Sequence, residues 1–188
     1  MNYSITKNGE CAKHLCVIDE GNQTVSTQES GLVLDFSGVH RWSFKTGGDC
    51  TFDTGGDCTF DTGGGCTFKT SSGCTFKTGG GCTFDTGSDC TFKTGYGCTF
   101  NTGGNCTFNT GGNCTFNTGY GCTFNTGIKC VVVDRSRCVL HPFVAPENVD
   151  FKTDNSERGY ILVNQKKKIT IELTDEQFES LKKQGIIT

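Results

Sequence analysis

From Trp42 to Lys129 apolar and polar residues alternate in a unit of eight that barely varies. The units read WSFKTGGD, CTFDTGGD, CTFDTGGG, CTFKTSSG, CTFKTGGG, CTFDTGSD, CTFKTGYG, CTFNTGGN, CTFNTGGN, CTFNTGYG and CTFNTGIK. Cys and Phe hold the first and third places, Thr the second and fifth, and Asp, Lys or Asn the fourth. Gly-rich residues fill the rest. Period-two alternation over four or five residues predicts a half-buried strand, and a glycine cluster predicts a turn. The inward ladder is therefore Cys50, Phe52, Cys58, Phe60, Cys66, Phe68, Cys74, Phe76, Cys82, Phe84, Cys90, Phe92, Cys98, Phe100, Cys106, Phe108, Cys114, Phe116, Cys122 and Phe124. The second-place Thr and the variable fourth residue face outward. The fifth-place Thr, as in Thr54 and Thr62, falls near a corner where its hydroxyl is expected to satisfy a turn amide.

Isolated five-residue strands are not stable, whereas stacked coils pair every backbone group with the coil above and below. One octad is too short to close around Phe. Two octads give a flattened coil with two sheets, and three give a triangular prism. The fourth-place residues discriminate. With 16 residues per coil, Asp53 stacks on Lys69, Lys69 on Asp85, and Asp61 on Lys77, leaving Lys77 over Lys93 as the like pair. With 24, Asp61 lies over Asp85 and Lys69 over Lys93. Adjacent opposite charges on a sheet contribute about 0.2–1 kcal/mol and like charges oppose by a similar amount. The expected fold is an all-β repeat, a two-sheet β-solenoid with two octads per coil. Asn101, Asn109, Asn117 and Asn125 then form stacked amide ladders.

The same phase places Leu34 with Phe36 one octad before Trp42 and Phe44. At the far end it places Cys130 with Val132, and Cys138 with Leu140. The domain plan is an irregular polar N-terminal cap over residues 1–30, a solenoid over 31–143, and a C-terminal cap or attachment module over 144–188. In that module, 144–158 reads as a loop, and YILVN (160–164) and ITIEL (169–173) as a hairpin. A helix follows, opened by a Thr174/Gln177 capping box, with Phe178 and Leu181 on its apolar stripe and Gly185 at its end. Lys166, Lys167 and Lys168 read as a solvated turn, with a docking patch for an acidic partner as the alternative.

Composition narrows the function classes. The chain has 188 residues with 27 Gly, 14 Cys and 15 Phe, and a net charge of −3. Glycine without a G-X-Y period excludes collagen. A pI near 5.6 argues against a nucleic-acid partner. Aliphatic runs of four or five residues are too short for a membrane span. The opening MNYSITKNGE lacks the apolar core of a signal peptide, so the expected location is cytoplasmic, with thiols kept reduced.

Three uses of the ladder cysteines compete: small core hydrophobes, a few strained disulfides between stacked neighbours, or a soft-metal column. Column neighbours have parallel Cβ vectors about 4.8 Å apart, and a disulfide needs about 3.8 Å. One Cys per octad does not supply four converging zinc ligands. Core hydrophobe is the favoured use, and no metal or cofactor is expected. Cys11, His14 and Cys16 form a lone C-x4-C group, best read as a local disulfide or two core thiols. GGDCTFDTG superficially matches the calcium-binding nonapeptide, but its period is eight and its Asp is replaced in most octads. His14, His40 and His141 are scattered and make no catalytic set, so no enzyme is expected. Outward Thr columns suit water ordering, although a charged fourth place interrupts a T-x-T face.

The block from Trp42 to Cys130 resembles runs of G-x-x-C-T-F-x-T octads in hypothetical proteins of bacteriophages and large viruses. The resemblance implies a short-repeat β-solenoid acting as a viral structural accessory, located in the virion. The expected role is a non-enzymatic rigid decoration, spacer or fibre component. Its partners would be virion proteins or further copies of itself as a homo-oligomer. The alternative is a surface-recognition module that binds glycan or ice through its Thr, Asn and Lys ladders.

Overall fold

The structure, a computed structural model, describes residues 3–134, 143–144, 150–153 and 160–162. Two ten-stranded sheets face each other across one core. The first carries, in spatial order, Glu10–Cys11, Ser4–Lys7, Val33–Phe36, Thr51–Thr54, Thr67–Lys69, Thr83–Asp85, Thr99–Asn101, Thr115–Thr118, Val131–Asp134 and Phe143–Val144. The second carries Val17–Asp19, Thr24–Ser26, Ser43–Thr46, Thr59–Thr62, Thr75–Thr78, Thr91–Lys93, Thr107–Asn109, Thr123–Asn125, Asp150–Thr153 and Tyr160–Leu162. Successive octads alternate between sheets, so the chain is a β-solenoid of about seven turns.

The repeat strands pair in parallel with a 16-residue offset. Thr67 lies beside Thr83, Phe68 beside Phe84 and Lys69 beside Asp85. Lys77 neighbours both Asp61 and Lys93, the like pair expected from the charges. Even the corners bond coil to coil: Gly79 N–H donates to the Gly63 carbonyl at 3.2 Å, and Gly65 N–H to the Gly80 carbonyl at 2.9 Å. Every coil thus satisfies the next, which is what lets three- and four-residue strands persist.

The core is an aromatic zipper flanked by sulfur. Within a sheet, Phe rings one coil apart stack nearly parallel, as in Phe68–Phe84 (4.9 Å, 4°) and Phe84–Phe100 (4.8 Å, 2°). Across the sheets they meet edge to face, as in Phe76–Phe84 (5.2 Å, 75°) and Phe84–Phe92 (5.2 Å, 76°). Both geometries suit the ring quadrupole. Cys50 through Cys130 line the narrow ends of the coil, and each is buried.

Three expectations need correction. First, Leu34 pairs with Phe52 and Phe36 with Thr54, so the first coil is out of phase by two residues. The phase is restored at Val39, whose carbonyl accepts the Gly55 N–H. The extra pair is Ser37–Gly38, held in a turn by Ser37 N–H on Asp35 Oδ1 and Val39 N–H on the Phe36 carbonyl. The shift moves Phe36 to the end of the zipper, where it stacks on Tyr3 at 4.5 Å and meets Trp42 at 5.1 Å. It also sets Asp35 over Asp53, a second like pair.

Second, the N-terminal cap is built on four short strands, Ser4–Lys7, Glu10–Cys11, Val17–Asp19 and Thr24–Ser26, and is not wholly irregular. Ser4–Lys7 runs antiparallel to Val33–Phe36, and Val17–Asp19 antiparallel to Thr24–Ser26, so both sheet ends are closed by reversed strands. A reversed terminal strand stops the parallel ladder from templating further coils. Third, the place that an octad at Cys138 and Leu140 would fill on the second sheet is taken by Asp150–Thr153, antiparallel to Thr123–Asn125. Residues 144–158 are therefore not simply a loop. Tyr160–Leu162 pairs antiparallel with that strand, and its expected hairpin partner at 169–173 lies outside the described residues. Cys138, Leu140, His141, the lysine turn and the predicted helix lie outside the described residues.

Candidate functional site

The described shaft presents three kinds of surface: two sheet faces, two corners and the N-terminal cap. Each is positioned by the octad. On the first sheet the outward columns are Thr51, Thr67, Thr83, Thr99, Thr115 and, beside them, Asp35, Asp53, Lys69, Asp85, Asn101, Asn117. On the second they are Thr59, Thr75, Thr91, Thr107, Thr123, with Lys45, Asp61, Lys77, Lys93, Asn109, Asn125.

Charged neighbours pair along the column. Lys69 Nζ lies 2.9 Å from Asp53 Oδ2, and Lys77 Nζ 3.3 Å from Asp61 Oδ2. The Asp53 hydrogen bond and charge push the Lys69 ammonium up. Both pairs are solvent-exposed, a setting in which ion pairs contribute little stability. Beyond Asp85 the column becomes amide: Asn101 Nδ2 donates to Asp85 Oδ1 at 2.9 Å, and Asn117 Nδ2 to Asn101 Oδ1 at 3.4 Å.

The corners turn on left-handed backbone just before each Cys. Asp49, Asp57, Asp89, Asn105 and Asn113 have φ of 55–59° there, and Gly65, Gly73, Gly81, Gly97 and Gly121 share the sign. Asp and Asn tolerate this region best among residues with a Cβ. The fifth-place Thr departs from expectation. Thr54 Oγ1 donates to the Gly55 carbonyl at 3.2 Å, and Thr62 Oγ1 to the Gly63 carbonyl, so the hydroxyl serves an acceptor and not an amide. Most corner amides are met by backbone carbonyls of adjacent coils, and some by side chains one coil earlier. Gly56 N–H donates to His40 Nδ1 at 2.9 Å, Ser88 N–H to Ser72 Oγ at 3.0 Å, and Gly104 N–H to Ser88 Oγ at 3.2 Å. His40 is thus a corner cap.

The thiols are built into the wall. Cys114 Sγ donates to the Gly111 and Gly112 carbonyls at 3.5 Å, and Cys58 Sγ to the Gly56 carbonyl at 3.4 Å. The thirteen described cysteines are free. Hydrogen bonding to the thiol one coil away, together with burial, pushes the Cys58, Cys66, Cys90, Cys114 and Cys122 thiols well above their ordinary range, while the same kind of bond pulls their partners Cys50, Cys74, Cys98 and Cys106 below it. Protonated, buried thiols are poor nucleophiles. Among the described residues no group of three or more His, Cys, Asp or Glu converges as a metal site. Cys11 is exposed in its strand, His14 sits in the 3-10 turn Lys13–Leu15, and Cys16 is half-buried.

At the cap, Tyr3 donates to Glu20 Oε1 at 2.9 Å and carries the Lys13 ammonium 4.1 Å above its ring. One cleft there is lined by Tyr3, Ser4, Asp35 and Ser37.

Two features escaped the sequence reading, although their signal was there. Tyr96 and Tyr120 occupy a turn place that the other octads give to Gly, Ser or, once, Ile128, and both are 64% exposed. They fall within Thr94–Ile128, a stretch with no charged residue, whereas outward charges recur from Asp35 to Lys93. The shaft is therefore charged in its first half and neutral in its second.

These surfaces belong to a two-sheet β-solenoid whose side chains repeat at the coil spacing. No family model, curated protein or solved structure matches the chain.

Proposed function

We propose that the chain is a non-enzymatic rigid rod, a decoration, spacer or fibre component of a viral particle. The observation that carries this reading is the unbroken Phe zipper from Phe44 to Phe124, in which each ring stacks on its neighbours one coil away. A close-packed interior of this kind has low compressibility and transmits strain along the shaft. At about 4.8 Å per coil, seven coils hold the two ends roughly 34 Å apart. Reversed strands at the N-terminal end favour a rod of set length over an open fibre. The octad resemblance supplies the viral setting. Virion proteins or further copies of the chain are the partners in this reading.

The test is mass spectrometry of density-purified particles from an infection that expresses the chain. A stoichiometric signal that survives high-salt washing is expected. Absence from particles while the chain accumulates in the infected cell would remove the structural role.

A further inference from the structure

We propose that the neutral half of the shaft carries a binding site for an uncharged polysaccharide, centred on the corner at Tyr96. The ring there is exposed and already positioned. A Cβ placed on Gly111 would meet ring carbon Cδ2 at 2.8 Å, and one on Gly112 would meet Cε1 at 3.2 Å. The ring therefore lies across these two glycines, one coil further on, with its other face open to solvent. Gly97 beside it has open space where a side chain would stand. An aromatic ring lying against the backbone has little conformational freedom left to lose on binding, which favours it as an anchor.

The surroundings select the ligand. The second-sheet strand ends at this corner in the exposed Asn109, and the first-sheet strand begins from it with the exposed Thr115. Asn113 is exposed at the corner itself. Amides and hydroxyls flanking a flat aromatic face match a pyranose, whose C–H face packs on the ring while its hydroxyls take the polar rim. The corner itself, from Asn109 to Thr115, holds no charged side chain; Lys93 beside Asn109 and Lys129 beyond Asn113 stand at its two edges, so an anionic chain is the competitor that the heparin control tests. The ligand is a neutral hexose or N-acetylhexosamine chain. Tyr120, equally exposed at the opposite corner of the same neutral half, is a second platform of the same kind. This site goes beyond the rod role and is read out separately, on purified chain in place of particles.

The full chain is tested for retention on cellulose, chitin, β-1,3-glucan, mannan, galactan and starch, with heparin as the anionic control. Retention on at least one neutral polymer is expected, unchanged up to about 0.5 M salt because no ion pair contributes. Tyr96→Ala should weaken it about tenfold or more, and Tyr96→Phe should stay within about threefold, because the ring face carries the contact. Since the ring is exposed, Tyr96→Ala should keep the far-ultraviolet circular dichroism and melting of the parent. Asn109→Ala gives an independent loss at a site remote from any core contact. Three outcomes each overturn the proposal: retention on none of the neutral polymers, undiminished binding by Tyr96→Ala, or binding confined to heparin and lost with salt. Sedimentation run in parallel separates a second copy of the chain as occupant. Self-association that Tyr96→Ala abolishes, without sugar binding, overturns it as well.

Discussion

Replacing Phe84 with alanine tests the zipper at its centre. Phe84 is fully buried and has four ring neighbours: Phe68 and Phe100 stacked at 4.9 and 4.8 Å, and Phe76 and Phe92 edge-on at 5.2 Å. Large-to-small changes of this type cost about 3–5 kcal/mol through lost transfer energy and the cavity left behind. Each ring pair adds about 0.5–1.5 kcal/mol beyond area burial. The neighbours are held by their own coils and cannot collapse into the gap, which places Phe84→Ala at the upper end, about 4–5 kcal/mol. Phe84→Leu keeps most of the volume and loses the ring geometry, and should cost about 2 kcal/mol. The assay is guanidinium unfolding followed by the fluorescence of Trp42, the chain's single and fully buried tryptophan. With a slope of about 4 kcal/mol per molar, Phe84→Ala should lower the midpoint by about 1 M. A loss below about 1.5 kcal/mol, or equal losses for Ala and Leu, would show that the rings are not close-packed and that the stacking account is wrong.

Further outcomes follow from the same geometry. Per-residue alkylation under native conditions should label Cys11 quickly and Cys16 more slowly, while Cys50 to Cys130 stay protected until unfolding; rapid labelling of Cys90 would contradict its burial. The raised thiols also give a pH dependence. Where the folded pKa lies above the unfolded one, the unfolded chain loses protons first. The contribution is complete below about pH 8 and falls as pH rises through about 8.5 and beyond, so the melting temperature should drop on the alkaline side. A flat alkaline profile in the presence of reductant counts against it. Lys93→Asp turns the Lys77–Lys93 like pair into an attractive one, so it should raise the unfolding midpoint slightly at low salt and not in about 1 M salt. A Cβ on Gly79 would stand 2.6 Å from Gly64 N and 2.8 Å from Gly64 Cα, so Gly79→Ala should cost about 1–3 kcal/mol. Gly97→Asn should be nearly neutral, because Asn113 holds the equivalent corner at the same positive φ. Equal melting temperatures for these two variants would contradict the corner packing.

The sequence alone determined the coil. An alternation of two locates the strand, the glycine cluster locates the turn, and the order of Asp and Lys at the fourth place selects a 16-residue step over 24, because directly stacked charges interact and others do not. The inward positions of Cys and Phe follow from the same pattern, and they are buried from Cys50 to Phe124. What periodicity could not decide lies where the period breaks. The two-residue insert at Ser37–Gly38 leaves an apolar alternation that reads equally well in either register. Only the need to fill the open end of the zipper, met by Phe36 against Tyr3 and Trp42, makes the choice. The strand that follows Thr123–Asn125 on its sheet was likewise a matter of which segment reaches that edge, since Asp150–Thr153 takes the place by antiparallel pairing that no local pattern announces. The pose of Tyr96 belongs to the same class. Its exposed place in the turn can be read from the octad, but its rest against Gly111 and Gly112 depends on the coil above, brought there by stacking and not by sequence proximity. Local periodicity fixes what repeats, and tertiary packing decides what happens at the ends and between coils, because those contacts join residues whose separation along the chain carries no period.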